Sequence, residues 1–195
     1  MGRPPATTAD DFVDAAVELF AGGGARAVTM SAVIQRVGVS NGSLYHRFSD
    51  RPALLAATWL RTQRRFEDGY RDMLESPVTA DKAITATVWI VDWCRIHRGE
   101  AVVLQAGART LEPDTWSPAD QAELERATTK RNRELATIVH ALAGSAHRRD
   151  QIAFALFDLP LAVVRRHLLA GKPPPPRAST LVKDIATMIL TPQGD

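Results

Sequence analysis

Apolar residues recur every three or four positions along almost the whole chain, the spacing that lines one face of an α-helix, and no stretch alternates apolar and polar as a half-buried strand would. The first stripe is Phe12, Ala15, Ala16, Leu19 and Phe20. Before it stands Thr7-Thr8-Ala9-Asp10-Asp11, where a threonine hydroxyl can cap free amides and the carboxylates suit the positive end of the helix dipole. After it Gly22-Gly23-Gly24 supplies residues that accept the left-handed geometry of a helix end. A second helix starts after Thr29, carries Met30, Val33, Ile34 and Val37, and breaks at Gly38. Ser40 caps a short third helix holding Leu44, Tyr45 and Phe48, and Asp50 caps a long fourth one with Pro52 in its first turn.

Further helical segments are predicted at 53–75, 81–98, 100–111, 118–143, 147–170 and 180–191, separated by Ser76-Pro77, Gly99, Glu112-Pro113, Gly144 and the run Pro173 to Pro176. Pro160, inside the 147–170 segment, removes a backbone donor and predicts a kink there. The expected fold is all-α. An N-terminal three-helix headpiece over 1–52 is followed by a helical domain over 53–195.

Residues 29 to 48 supply the parts of a helix-turn-helix. Gly38 sits where the chain turns sharply, Val39 plugs the corner, and Val33, Val37 and Leu44 form a small shared core. The exposed positions of the second motif helix are then Asn41, Gly42, Ser43, Tyr45, His46 and Arg47. Asn41 and Ser43 suit base edges, and Gly42 leaves room for close backbone approach. Tyr45, His46, Arg47, the cap at Ser40 and Arg51 suit phosphate oxygens, and Thr29 and Ser31 at the start of the first motif helix join the DNA-facing set. Taken by spacing alone, the same residues also describe a compact helical hairpin with a polar face.

The run SAVIQRVGVSNGSLYHRFSDRPALL resembles the TetR-family signature in Gly38, Val39, Ser40, Gly42, Ser43, Leu44, Tyr45, His46, Phe48, Arg51, Leu54 and Leu55. The first helix, with Ala15-Ala16, Leu19-Phe20, Gly24 and Thr29, matches at the expected distance. Ile34 stands where the family usually keeps alanine, Asn41 and Arg47 replace a commoner lysine and tyrosine, and Pro52 replaces a usual acid. The resemblance covers about residues 10–55. It implies a homodimeric regulator, most often a repressor, that grips a palindromic operator and releases it when a small effector enters the helical remainder. It also implies that the last two helices, through Phe157, Leu161, Val164, Leu168, Leu181, Ile185, Met188 and Ile189, build an intermolecular four-helix bundle. The alternative is that these faces bury against their own domain.

Composition narrows the other possibilities. Hydrophobic residues at 45% can build a real core, and charged residues at 24% are ordinary for a globular chain. Net charge is only +2, but Arg26, Arg36, Arg47, Arg51, Arg61, Arg64 and Arg65 face a lone Asp50 between residues 26 and 65. That local excess fits either nucleic-acid contact or a solvated face. No run approaches a membrane span and the amino end lacks an apolar signal segment, so a cytoplasmic protein without membrane contact is expected. The single Cys94 allows no internal disulfide. No glycine-rich phosphate loop occurs, and His46, His97, His140, His147 and His167 show no metal-like pairing with carboxylates, so no enzyme, metal or cofactor is expected.

The residues available to line an effector cavity are Phe66, Trp89, Trp93, Cys94, His97, Leu104, Trp116 and Phe154, a mostly apolar set that suits a hydrophobic or aromatic ligand. Core packing is the other reading of each, since Trp89 and Trp93 are neighbours on one helix face. Two further readings of the chain are a TetR-like activator and a helical small-molecule-binding or scaffold protein that no longer reads DNA.

Overall fold

The computed structural model describes residues 7–74, 76–143 and 145–191, and among these the secondary structure is helical throughout. The amino-terminal helices are α1 (Ala9–Gly23), α2 (Met30–Val37), α3 (Asn41–Tyr45) and α4 (Arg51–Met73). They are followed by α5 (Ala80–Ile96), α6 (Arg98–Ala106), α7 (Pro118–Leu142), α8 (Ala146–Ala153), α9 (Leu159–Leu169) and α10 (Pro176–Leu190). Gly144 and the last residue of the predicted 53–75 segment lie outside the described residues.

The start signals act as their chemistry requires. Thr8 and Asp11 form a reciprocal capping box at α1, with the Thr8 amide donating to Asp11 Oδ2 at 2.7 Å and the Asp11 amide donating to Thr8 Oγ1 at 3.3 Å. Thr29 Oγ1 accepts from the Ala32 amide at 3.1 Å, and Asp50 Oδ1 accepts from the Ala53 amide at 2.8 Å. Ser40 differs from expectation: it stands at the cap position of α3, but its hydroxyl makes no capping hydrogen bond.

Several boundaries depart from the periodicity, the first being the third helix, which ends at Tyr45 and leaves Phe48 beyond it. Gly99 lies inside α6, and the break falls instead at His97, whose φ of −103° and ψ of 52° leave the helical region. The helix predicted to reach Leu111 stops at Ala106, because Gly107 turns to φ 82° and the chain goes on as two short 3-10 turns, Ala108–Leu111 and Pro113–Thr115. At the carboxyl end α10 begins at Pro176, several residues before the predicted start, since a proline is well suited to the first turn, where its missing N–H has no partner to lose.

Pro160 shows its effect in the preceding turn. Having no N–H, it leaves the Leu156 carbonyl without the usual donor four residues on, and residues Phe154–Asp158 widen into a π-turn in which the Leu159 amide donates to the Phe154 carbonyl.

The chain divides into two compact units, Met1–Gln63 with Val102–Glu125, and Arg64–Ala101 with Arg126–Asp195. Its crossings from one unit to the other fall within α4, α6 and α7. The core of the first unit gathers Phe12, Ala16, Val28, Val33, Leu44, Leu54 and Leu55, all 0% exposed, with Val103 and Leu111 equally buried from the later segment. Trp116 joins this core and its indole Nε1 donates to the Leu111 carbonyl at 2.8 Å, so the ring is both packed and satisfied.

In the second unit α5 packs most extensively on α10, and also on α9 and the π-turn. The small residues Ala83 and Ala86 on α5 and Ala178 and Ala186 on α10 are buried, which lets helix axes approach closely. Asp92 ties the pair by accepting from the Ser179 hydroxyl while forming an ion pair with Arg95 at 2.9 Å. Among the described residues no helix is long and apolar enough to cross a membrane.

Candidate nucleic-acid interface

Helices α2 and α3 meet at a tight corner. Gly38 takes φ 77° and ψ 35°, a left-handed conformation that a residue with a side chain adopts only at a cost, and its amide still donates to the Ile34 carbonyl at 2.9 Å. Val39 is half-buried in the corner and packs against the core that contains Leu44. Helix α3 is anchored on one side only, by Leu44 at 0% exposure and by Phe48 just beyond it, whose ring meets Phe12 edge to face at 6.4 Å. Because one face of so short a helix is held, the other is presented to solvent. Asn41, Gly42, Tyr45, His46 and Arg47 are exposed and Ser43 is half-exposed, with Thr29, Ser31 and Ser40 exposed alongside them. Thr29 and Ser31 place their hydroxyls 3.2 Å apart at the start of α2.

Arg51 lies elsewhere. Its guanidinium turns inward, donating from Nε to the Val28 carbonyl at 2.8 Å, from Nη2 to the Ala25 carbonyl at 2.8 Å, and to both carboxylate oxygens of Glu112 at 2.7 and 3.1 Å. The local arginine excess is offset in the same manner. Arg36 pairs with Glu18 at 3.1 Å, Arg61 with Asp10 at 3.2 Å and also with Asp14, and Arg65 with Glu100 at 2.8 Å. Several of these arginines thus meet acids from other parts of the chain, whereas Arg26 and Arg47 are exposed. An anionic duplex would therefore be met by exposed donors on α3 and its flanks more than by a broad basic field.

Residues 12–58 match the sequence profile of "Bacterial regulatory proteins, tetR family". The amino-terminal helix-turn-helix segment is thus similar to that of the TetR family. The match spans the first three helices and the start of α4. Solved TetR-family structures share the fold over nearly the full chain. A TetR-like transcriptional regulator from Rhodococcus sp. RHA1 is 22% identical, with 95% of this chain and 96% of that one covered at a TM-score of 0.69. A tetR-family bacterial regulatory protein from Rhodococcus RHA1 is 19% identical, with 96% and 100% covered at a TM-score of 0.71. The FadR regulator of Bacillus subtilis, solved with stearoyl-CoA, is 16% identical, with 94% and 98% covered at a TM-score of 0.64. No curated protein sequence matches the chain.

The eight residues nominated for an effector cavity do not all share one cluster of contacts. Phe66, Trp89, Trp93 and His97 form an aromatic ladder in the second unit, with centroids 5.5 Å apart for Phe66 and Trp89, 5.0 Å for Phe66 and Trp93, and 4.9 Å for Trp93 and His97. Cys94 is buried, and burial pushes its thiol pKa up to about 12. Trp116 and Leu104 pack with the first unit's core, and Phe154, 46% exposed, lies on a surface groove with Arg148, Asp150, Gln151, Met188 and Ile189.

Sequence reasoning missed Tyr70 and placed Phe157 at a dimer face only. Tyr70 extends the ladder, 6.4 Å from Phe66 and Trp89 and 6.0 Å from Phe157. Its position four residues after Phe66 was the available signal. Among the described residues the buried Tyr70 hydroxyl has no hydrogen-bond partner, and burial raises its pKa.

Among the residues nominated for dimerisation, Leu161, Leu181 and Met188 are exposed at 46%, 49% and 72%. Phe157, Leu168, Ile185 and Ile189 are half-buried, and Val164 is buried within its own chain. Among the described residues no cluster of three or more His, Cys, Asp or Glu side chains is placed to hold a metal ion.

Proposed function

We propose that the protein is a ligand-responsive repressor that binds a palindromic operator as a homodimer and leaves it when a small hydrophobic effector binds. The observation that carries the reading is α3, held by Leu44 and Phe48 and offering Asn41, Ser43, Tyr45, His46 and Arg47 outward. Residues 1–52 serve as the DNA-binding part and 53–195 as the regulatory part. One chain carries one such helix, and reading a palindrome takes two, spaced by about 34 Å or a multiple of one duplex turn.

The exposed apolar positions support self-association. Leu181 and Met188 are seven residues apart in α10 with Ile185 between them and so repeat on one helical face, and Phe154 and Leu161 are exposed as well. The aromatic ladder supports an effector with an aromatic or apolar body and one polar group able to take the Tyr70 hydroxyl as its partner. The FadR neighbour holds stearoyl-CoA, a ligand with a long apolar tail, which is in keeping with an apolar effector here. The protein acts in the cytoplasm, where its operator is, and not as an enzyme; its one thiol is buried, which makes it unsuited to nucleophilic work.

A footprint on the DNA upstream of its own coding sequence tests the reading. Specific, salt-sensitive protection below micromolar protein is expected, and Tyr45→Ala with His46→Ala should abolish it without unfolding the chain. Equal occupancy of unrelated duplexes, or protection that survives both substitutions, would refute it.

A further inference from the structure

One guanidinium joins three parts of the first unit that are distant in sequence. Arg51 is the first residue of α4, Val28 is the residue just before the Thr29 cap of α2, and Glu112 lies between the two 3-10 turns of the 102–125 segment. Four hydrogen bonds, at 2.8, 2.8, 2.7 and 3.1 Å, run from Arg51 to Val28, Ala25 and the two oxygens of Glu112. The Ala25 carbonyl also accepts from the Val28 amide at 3.1 Å, so the guanidinium closes a turn that is already hydrogen-bonded. Helix α3 lies in the chain between the two points that Arg51 holds.

Glu112 is set for this contact by its backbone. It takes φ 59° and ψ 50°, and among the described residues it is the non-glycine with a positive φ. Its neighbour Leu111 is fully buried, and the Trp116 indole grips the Leu111 carbonyl. A conformation disfavoured by a side chain is thus kept at the point where the carboxylate meets Arg51 in a bidentate pair. The Arg51 charge is neutralised by that pair, which makes the residue a poor phosphate contact and a good brace.

We propose that Glu112 is a positioning residue for DNA recognition: through Arg51 it sets the start of α2 and of α4, so that the seating of the 102–125 segment governs the affinity of α3 for DNA. This rests on the DNA-binding reading above and adds a route by which the regulatory part reaches the headpiece, since the segment continues into that part through α6 and α7.

The test uses the full-length protein and a duplex carrying the site that the wild type selects from a random-sequence pool. Affinity is measured across salt concentrations for Glu112→Gln, Glu112→Gly and Arg51→Gln. Each variant is expected to lose affinity by about tenfold, within the usual range of intersite coupling, with the salt slope unchanged. Glu112→Gly is expected to keep the wild-type melting temperature, because glycine relaxes the left-handed backbone while losing the pair.

Unchanged or tighter binding by Glu112→Gln would overturn the proposal, as would a salt slope reduced by about 0.9 in Arg51→Gln, the mark of a lost phosphate contact. Hydrogen exchange on the DNA-free proteins gives an independent arm. Amides of residues 25–48 should exchange faster in Glu112→Gln, and an unchanged pattern there overturns the brace. Should the wild type select no site, the DNA-binding reading fails while the exchange arm still decides the role of Glu112.

Discussion

Replacing Leu111 by alanine removes three carbon atoms from the core of the amino-terminal unit, from a side chain that is 0% exposed. At about 0.8 kcal/mol per buried methylene the transfer loss is about 2.4 kcal/mol, and the unfilled cavity raises the expected cost to about 3–4 kcal/mol. For a domain of this size that lowers Tm by roughly 6–15 °C. The location of the effect matters as much as its size. Leu111 lies over 60 positions beyond the helix-turn-helix, yet it shares a core with Phe12, Val33, Leu44 and Leu55, so the loss should be felt in α1 and α2. Calorimetry gives the magnitude, and hydrogen exchange read by peptide mass spectrometry gives the place, with faster exchange expected across residues 9–48 as well as 107–117. A cost below about 1 kcal/mol, or faster exchange confined to 107–117, would refute the shared core.

Three other expectations follow from single contacts. Gly69 lies within α4, where alanine normally stabilises by about 1 kcal/mol, but an added Cβ would stand 2.5 Å from Trp89 Cζ2 and 2.9 Å from Cη2. Overpacking of this kind costs about 1–3 kcal/mol, so Gly69→Ala should bring no gain in denaturant midpoint and should alter the near-ultraviolet tryptophan signal; a full helix-propensity gain would contradict the close packing. With its pKa pushed up to about 12, Cys94 should resist a thiol reagent at pH 8 in the folded protein and react stoichiometrically once denatured, and rapid native reaction would contradict its burial. The hydrogen bonds from Arg51 hold the Glu112 carboxyl below its ordinary pKa, ahead of the opposing effect of burial, so its contribution to stability is fully present above the unfolded-state value and is lost as pH falls through the depressed folded-state value. The stability gap between wild type and Glu112→Gln should therefore narrow as the medium is acidified below the usual glutamate range; a gap independent of pH would contradict the pair.

Most of what local chemistry controls could be read along the chain. The boundaries of α1 and α2 follow from Thr8, Gly24, Thr29 and Gly38, because caps and left-handed glycines act within a few residues, whereas α3 ends at Tyr45, short of the predicted Phe48. The buried side of the motif, Val33 and Leu44, follows from helical spacing, and the polar residues left over are the ones exposed on α3. The aromatic ladder was legible in part, since Phe66 and Tyr70 on one helix and Trp89, Trp93 and His97 on the next are each four residues apart.

Periodicity says which residues are buried but not against what, and there the tertiary structure decided. Trp116 and Leu104 have the spacing of cavity residues but lie with the amino-terminal core, while Phe154 is on the surface and the aromatic ladder stands elsewhere. Arg51 looks like a phosphate contact from its place after the motif, and only the folded chain brings Glu112 across 61 positions to take its charge. The same holds for the arginine excess between 26 and 65, several members of which meet acids from other helices. Helix caps and stripes depend on neighbours in sequence and so belong to the sequence itself. Ion pairs and shared cores depend on distances that exist only after the helices pack, and for this protein those contacts separate the donors left exposed on α3 from the arginines that pair with acids elsewhere in the chain.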